Sequence, residues 1–238
     1  MKSILRECLK ADRESRRRLL AHLETMITEN RKGKFREVIS RRTRHLTIVL
    51  EDIFQPHNAS AVLRTCDCFG VQNVHIIENR NKYEVNPDVA LGASKWLSLF
   101  KYNKTGDNTA TCLEQLKVQG YRIVATTPHE SGYTPESLPL SQKVALVFGT
   151  ELEGLTPAAI SMADDFVKVP MVGFTESLNI SVSAAILLHT LTGRIRTEGI
   201  QWQLSDAEAE DVLLEWALNT IRRSGIIASE FLAKQRDL

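Results

Sequence analysis

Through the middle of this chain, segments that read as strands alternate with segments that read as helices, and the strand segments are apolar in near-continuous runs. "HLTIVLE" at 45–51, "VQNVHIIE" at 71–78, "YRIVATT" at 121–127, "KVALVFGT" at 143–150 and "FVKVPM" at 166–171 carry the pattern, with a weaker strand in "SLFKY" at 98–102. Between them, helices are predicted from about 59 to 69, closed by Gly70, over 107–120 with Gly120 at the end, and from Thr156, a cap followed by Pro157, to about 163. "ISVSAAILLHTL" at 180–191 is apolar on nearly every side and predicts a buried helix. A strand that is apolar on both faces must be covered on both faces. The fold class that satisfies this is α/β, a parallel sheet with helices on both sides.

Outside this core the pattern changes. Leu19, Leu20, Leu23, Met26 and Ile27 recur at helical spacing among arginines, which predicts one amphipathic helix over 3–29, ended by Asn30 and Gly33. Ser205 and Glu208 form an S-x-x-E capping box for a C-terminal helix with an apolar stripe of Val212, Leu213, Trp216 and Ile221, and Gly225 marks a break. The expected organisation is a basic helical extension (1–44), the α/β domain (45–196) and a C-terminal helical extension (197–238).

The net charge of +1 hides a division. Residues 1–45 carry 14 Lys+Arg against 6 Asp+Glu, and the remainder 16 against 23, so the first part is +8 and the rest −7. "RESRRR" and "RKGKFREVISRRTR" suit a polyanion such as RNA, and equally a solvated basic helix and linker. No apolar run approaches the ~20 residues of a membrane span. Glu7, Asp12 and Glu14 count against an N-terminal transit peptide. Cys8, Cys66, Cys68 and Cys112 include no CxxC pair, which argues against a metal site or disulfide frame and for reduced thiols in the cytoplasm.

Three segments carry candidate chemistry. In "QPHNASAVLRTCDCFG", Asn58 and Arg64 are six apart, and Arg64 lies far round the predicted helix from the stripe of Ala59, Val62, Leu63, Cys66 and Phe69. On spacing alone, Asn58 is as well explained as a helix cap and Arg64 as a surface arginine paired with Asp67. "LVFGTELEGL" ends a strand in Gly149 and places Glu151 and Gly154 before the capped helix. It is neither the dinucleotide fingerprint nor a Walker loop, and alone reads as an ordinary connection. "PMVGFTESLNIS" sets Gly173, Thr175, Ser177 and Asn179 between an apolar strand and an apolar helix, where polar groups need partners.

Together and in this order, N-x-x-x-x-x-R in "NASAVLR", G-x-E-x-x-G in "GTELEG" and S-L-N-x-S in "SLNIS" resemble the three motifs of the SPOUT class of RNA methyltransferases, specifically its TrmH branch, over roughly residues 45–195. The resemblance implies a parallel sheet whose C-terminal part is tied in a trefoil knot, against the general rule of unknotted chains. It also implies S-adenosylmethionine as methyl donor, a ribose 2′-hydroxyl of RNA as acceptor, and a homodimer with sites built from both subunits. By motif, Arg64 would be the catalytic residue, Asn58 and Asn179 would position it and the ribose, Glu151 would orient the site and Ser177 would help to hold substrate. Main chain around Thr126, Gly149, Val169, Met171 and Leu178 would contact the cofactor. The sequence departs from the family at Cys68 and Phe69, where relatives have smaller apolar residues.

Relatives acting on rRNA carry a larger N-terminal RNA-binding domain, whereas tRNA enzymes have short helical extensions at both ends, as expected here. The resemblance therefore points to guanosine 18 in the D-loop of tRNA, with the basic helix on phosphates. Methylation of another tRNA or rRNA nucleotide and non-catalytic RNA binding are the alternatives. A dinucleotide enzyme fits the α/β pattern but lacks the glycine fingerprint. His57, His129 and His189 are read as bystanders, His189 as a core residue and the others as loop histidines.

Overall fold

The computed structural model describes residues 2–83, 86–104 and 106–236. Its elements are, in chain order, α1 (Lys2–Lys10), α2 (Arg13–Glu24), α3 (Glu29–Ile39), β1 (Leu46–Glu51), α4 (Pro56–Phe69), β2 (Asn73–Ile77), the short α5 (Pro87–Ala90), a 3-10 turn at Ala93–Lys95, β3 (Ser98–Tyr102), α6 (Asn108–Val118), β4 (Tyr121–Thr126), β5 (Lys143–Phe148), α7 (Pro157–Met162), β6 (Asp165–Val167), α8 (Ile180–Thr197), α9 (Asp206–Thr220) and α10 (Ser224–Arg236). They fall into two compact units, residues 43–202 and residues 1–42 with 203–238.

The larger unit is the expected α/β layer structure. Six strands pair in the order β3-β2-β1-β5-β4-β6, all parallel. Every residue of β1 is buried because the pleat sends alternate side chains to opposite, equally covered faces. Leu46, Ile48 and Leu50, with Val74 and Leu146 beside them, meet Val62, Leu63 and Cys66 of α4 and Ala184, Leu187, Leu188 and Leu191 of α8. On the other face Val49, Ile77, Ile123 and Val147 meet Cys112, Leu113 and Leu116 of α6 and Ala159 of α7. Gly70, at φ 81°, closes α4 in the left-handed conformation that turns the chain into β2.

Several sequence expectations are corrected. α4 begins at Pro56 rather than near 59, since proline suits a first helical position, so Asn58 lies inside the first turn and caps nothing. The last strand stops at Val167 instead of running to Met171. Pro170 lacks the N–H that a ladder needs, and residues 168–179 carry no regular structure. α8 is buried on one face only: Val182 and His189 are exposed, and His189 meets Phe69 edge-on at 5.7 Å outside the core.

In the smaller unit the single helix expected over 3–29 is two helices, α1 and α2, and a third, α3, begins at Glu29. Asp12 accepts from the Ser15 amide to start α2, and Thr28 accepts from the Arg31 amide to start α3, which leaves Asn30 and Gly33 inside α3. Two internal caps break what apolar periodicity reads as continuous. At the C-terminal end the capping box forms as predicted. The buried face of α9 uses Leu214 in place of Leu213, and the break falls at Ile221–Arg223, with Gly225 inside the first turn of α10. Trp216 centres this core, edge-on to Phe35 at 5.4 Å and under the buried Arg42 guanidinium, also at 5.4 Å. Arg13 and Arg17 face Glu210 and Arg16 faces Asp211 on α9, so the arginine-rich face of α2 has carboxylate partners within its own unit.

Candidate active site

A cavity of about 630 Å³ opens where β4, β5 and β6 end. Loops at the carboxyl ends of parallel strands are where open α/β sheets bind ligands. Thr126 ends β4 and its hydroxyl donates to the Val147 carbonyl at 2.9 Å, which ties two strand ends together at the cavity floor. Beyond β5 the chain turns sharply: Thr150 and Gly154 exchange backbone hydrogen bonds of 2.9 and 3.0 Å. Gly149 is required here because a Cβ would collide with the Gly154 carbonyl. The pinched turn pushes Glu151 and Leu152 outward into the cavity wall. Val169 and Met171 follow β6, and Ser177, Leu178 and Asn179 lead into α8.

At the rim, Asn58 joins motifs that are far apart in sequence. Its amide donates to Glu151 and, at 3.1 Å, to Gln55, and its carbonyl oxygen accepts from the Asn179 amide at 3.2 Å. Asn179 also caps α8, its Oδ1 accepting from the Ser181 amide at 2.9 Å. The first turn of α4, the turn after β5 and the start of α8 are thus held by one buried asparagine, 4% exposed.

The loops are braced from β1. Glu51, 1% exposed, accepts from the Thr109 hydroxyl at 2.6 Å and from the Thr156 amide and hydroxyl at 2.9 and 2.7 Å, which fixes the start of α7 directly after the turn. Asp52, in the left-handed region at φ 52°, accepts from the amides of Asn79, Arg80 and Asn81 through one carboxylate oxygen. Sequence reading missed this acidic pair, although two carboxylates ending an apolar strand are a readable signal of polar work at that edge.

Thr126, Gly149, Val169, Met171 and Leu178 all line the cavity, and so do Glu151, Ser177 and Asn179. Asn58 reaches it through its hydrogen bonds. Arg64 does not converge with them: it is exposed on α4, and six residues of helix carry it about 240° round and about 9 Å along from Asn58. Phe148, Ile180 and Leu187 add apolar walls, and His129, read from sequence as a bystander, also lines the cavity. A pinched glycine turn, strand-end carbonyls and amides and apolar walls suit a flat heterocycle held by main chain, with Glu130, Glu151, Glu153, Glu176 and Lys168 as the charged groups of the lining.

Residues 45–189 match the SpoU rRNA Methylase family. The tRNA (guanosine(18)-2'-O)-methyltransferase of Borreliella burgdorferi is 42% identical over 200 residues, 84% of this chain and 90% of that one. The crystal structure of the A. aeolicus TrmH/SpoU tRNA modifying enzyme superposes with a TM-score of 0.72 at 29% identity, over 82% of this chain and 98% of that chain. The SpoU methyltransferase AviRb from Streptomyces viridochromogenes, solved in complex with AdoMet, is similar at a TM-score of 0.56 and 22% identity over 68% and 65% of the two chains, a likeness of fold alone.

Proposed function

This chain belongs to the SpoU rRNA Methylase family, and from that footing we propose that it transfers the methyl group of S-adenosylmethionine to the ribose 2′-hydroxyl of guanosine 18 in the D-loop of tRNA. The observation that carries the reading is the Asn58, Glu151 and Asn179 cluster, which brings all three motif segments to one rim of the strand-end cavity. The relatives named for guanosine 18 choose the nucleotide.

The residues present fit the donor. Thr126, Gly149, Val169, Met171 and Leu178 would hold its adenosyl part, with Gly149 admitting a close approach to main chain. When bound, the sulfonium supplies an activated methyl carbon. Asn179 orients the ribose at the rim, Asn58 positions Asn179 through its carbonyl oxygen, Glu151 locks the Asn58 amide, and Ser177 offers a hydroxyl to the substrate.

Neutralising a free guanidinium at pH 7 costs roughly 9 kcal/mol, so the role of Arg64 is to bridge an RNA phosphate and the 2′-oxygen and to stabilise the negative charge that develops there. Its displacement round α4 from Asn58 supports a site completed by the Arg64 of a second copy, as does the exposure of Val172, Phe174, Leu178 and Val182 around the cavity. The functional form is a homodimer. The path from β6 at the sheet edge, through residues 168–179, back to α8 against α4 supports the trefoil knot of the family. The protein works in the cytoplasm, where its four cysteines stay free, and no described helix is long and apolar enough to cross a membrane.

The test is methyl transfer from tritiated S-adenosylmethionine to two tRNA transcripts, one with guanosine and one with 2′-deoxyguanosine at position 18. The first is expected to take label at that ribose and the second none. Equal labelling of both, or of neither, overturns the assignment.

A further inference from the structure

Beside the reaction cavity lies a second hollow of about 380 Å³, bounded by residues 78–83, Lys101 and Asn103. Three cations, Arg80, Lys82 and Lys101, line it with one carboxylate, Glu78, while Asp52 and Glu153 face Arg80 from outside the hollow at 3.7 and 2.7 Å. That carboxylate is already saturated: Glu78 accepts from Lys101 at 2.7 Å, from the Asn103 amide at 2.7 Å and from the Tyr83 backbone amide at 2.9 Å. The Tyr83 hydroxyl is buried and has no hydrogen-bond partner among the described residues. The loop itself is built in advance, because Asp52 holds the amides of 79, 80 and 81 and the Asn81 side chain donates back to the Asp52 carbonyl at 2.8 Å.

The two cavities touch at one ion pair. Arg80 reaches Glu153 at 2.7 Å, and Glu153 belongs to the wall of the reaction cavity, two residues from Glu151. Both side chains are largely exposed, at 57% and 65%, so the pair is weak and exchangeable. A phosphodiester offers a guanidinium two oxygens in a geometry that an exposed glutamate does not improve upon.

Resting on the RNA methyltransferase reading above, we propose that this hollow is a second RNA subsite, which takes a phosphodiester flanking the methylated nucleoside, with Arg80 moving from Glu153 to the phosphate and Lys82 beside it. Asp52 is then the positioning residue of the subsite and Glu153 the group that occupies Arg80 until RNA arrives.

The experiment measures tRNA binding by fluorescence anisotropy across a salt series for wild type, R80A, R80K, K82A and E153Q, with S-adenosylhomocysteine binding by calorimetry alongside. R80A and K82A are each expected to raise the Kd for tRNA several-fold and lower the slope of log K against log salt by about 1. R80K keeps the slope, E153Q tightens binding, and cofactor affinity in K82A stays at the wild-type level. If R80A and K82A keep wild-type affinity and slope while the wild-type protein methylates tRNA, the subsite is overturned and the function stands. A parallel loss of cofactor affinity in K82A also overturns it. If wild type neither binds nor methylates tRNA, the function reading falls first and takes the subsite with it.

Discussion

Asn58 shows how much one side chain can be asked to hold. Both of its amide donors and its carbonyl oxygen are used, by Gln55, Glu151 and Asn179, with Asn58 itself buried while its partners face solvent. Asn58→Asp is nearly the same shape but sets a carboxylate against Glu151. We expect it to destabilise the fold by on the order of 1–3 kcal/mol at neutral pH and to abolish methyl transfer. In thermal melts the deficit should narrow as the pH falls into the carboxylate range; a deficit independent of pH would contradict the repulsion. His75 gives a pH dependence of its own. It is 2% exposed on β2, stacked on Phe100 at 4.8 Å, and burial pushes its pKa from 6.5 down to about 4. A base whose folded pKa is depressed binds its proton in the unfolded state first. Its contribution is therefore complete above about pH 6.5 and is lost as the pH falls from there to about 4, by on the order of 3 kcal/mol in all. Replacing His75 with Phe should flatten chemical-denaturation stability over that window, and a slope unchanged in His75→Phe would refute the assignment. Neither residue's role was legible from spacing. Asn58 was as good a cap as a site residue until the fold placed Glu151 and Asn179 against it, residues 93 and 121 positions away.

At the level of elements, the strands and the helices between them were readable because burial on both faces imposes a composition that no loop needs. What failed were boundaries where a local side chain overrides periodicity: Asp12 cutting one helix in two, Thr28 starting another where it was expected to end, and Pro170 beyond the early end of β6. The apolar look of α8 misled for a different reason, since an apolar face left exposed by one chain reads in sequence like one buried in it. The turn after β5 was legible as glycine and acid, but its bracing was not, because Glu51 acts from the end of β1, 105 residues before Thr156. Thr156 both caps α7 and satisfies Glu51. Thr156→Ala should cost about 1 kcal/mol for the cap, plus the desolvation left on a buried carboxylate, about 1–3 kcal/mol. Because α7 begins just beyond Gly154, the same change should loosen the turn and weaken S-adenosylhomocysteine binding in calorimetry, while Thr156→Ser restores both. Weakened binding in the serine variant as well would show that the methyl group, rather than the hydroxyl, does the holding.

For the whole molecule, the division of charge was legible as +8 against −7, but its meaning was not. Much of the arginine in α2 is engaged by Glu210 and Asp211, so the basic segment is in part a structural partner of the C-terminal helices within their unit. Helical arithmetic turned Arg64 away from the core stripe, but only the structure puts Asn58 on the same helix and so shows the two pointing apart. The proposed two-fold dimer would resolve this, because a self-complementary interface would present each protomer's Arg64 to its partner's cluster. The consequence is testable by mixing inactive proteins. Arg64→Ala keeps an intact Asn58, Glu151 and Asn179 cluster, and Glu151→Ala keeps an intact arginine. In a mixed dimer of the two, one site receives both defects and the other receives neither. With random pairing of equal amounts, half the dimers are mixed and each carries one good site, so activity should return to about a quarter of wild type from two preparations that are each inactive. Pairing Glu151→Ala with Asn179→Ala, whose defects fall in the same cluster, should restore nothing. Recovery in that second mixture, or none in the first after subunit exchange has been verified, would mean that Arg64 serves the site of its own chain.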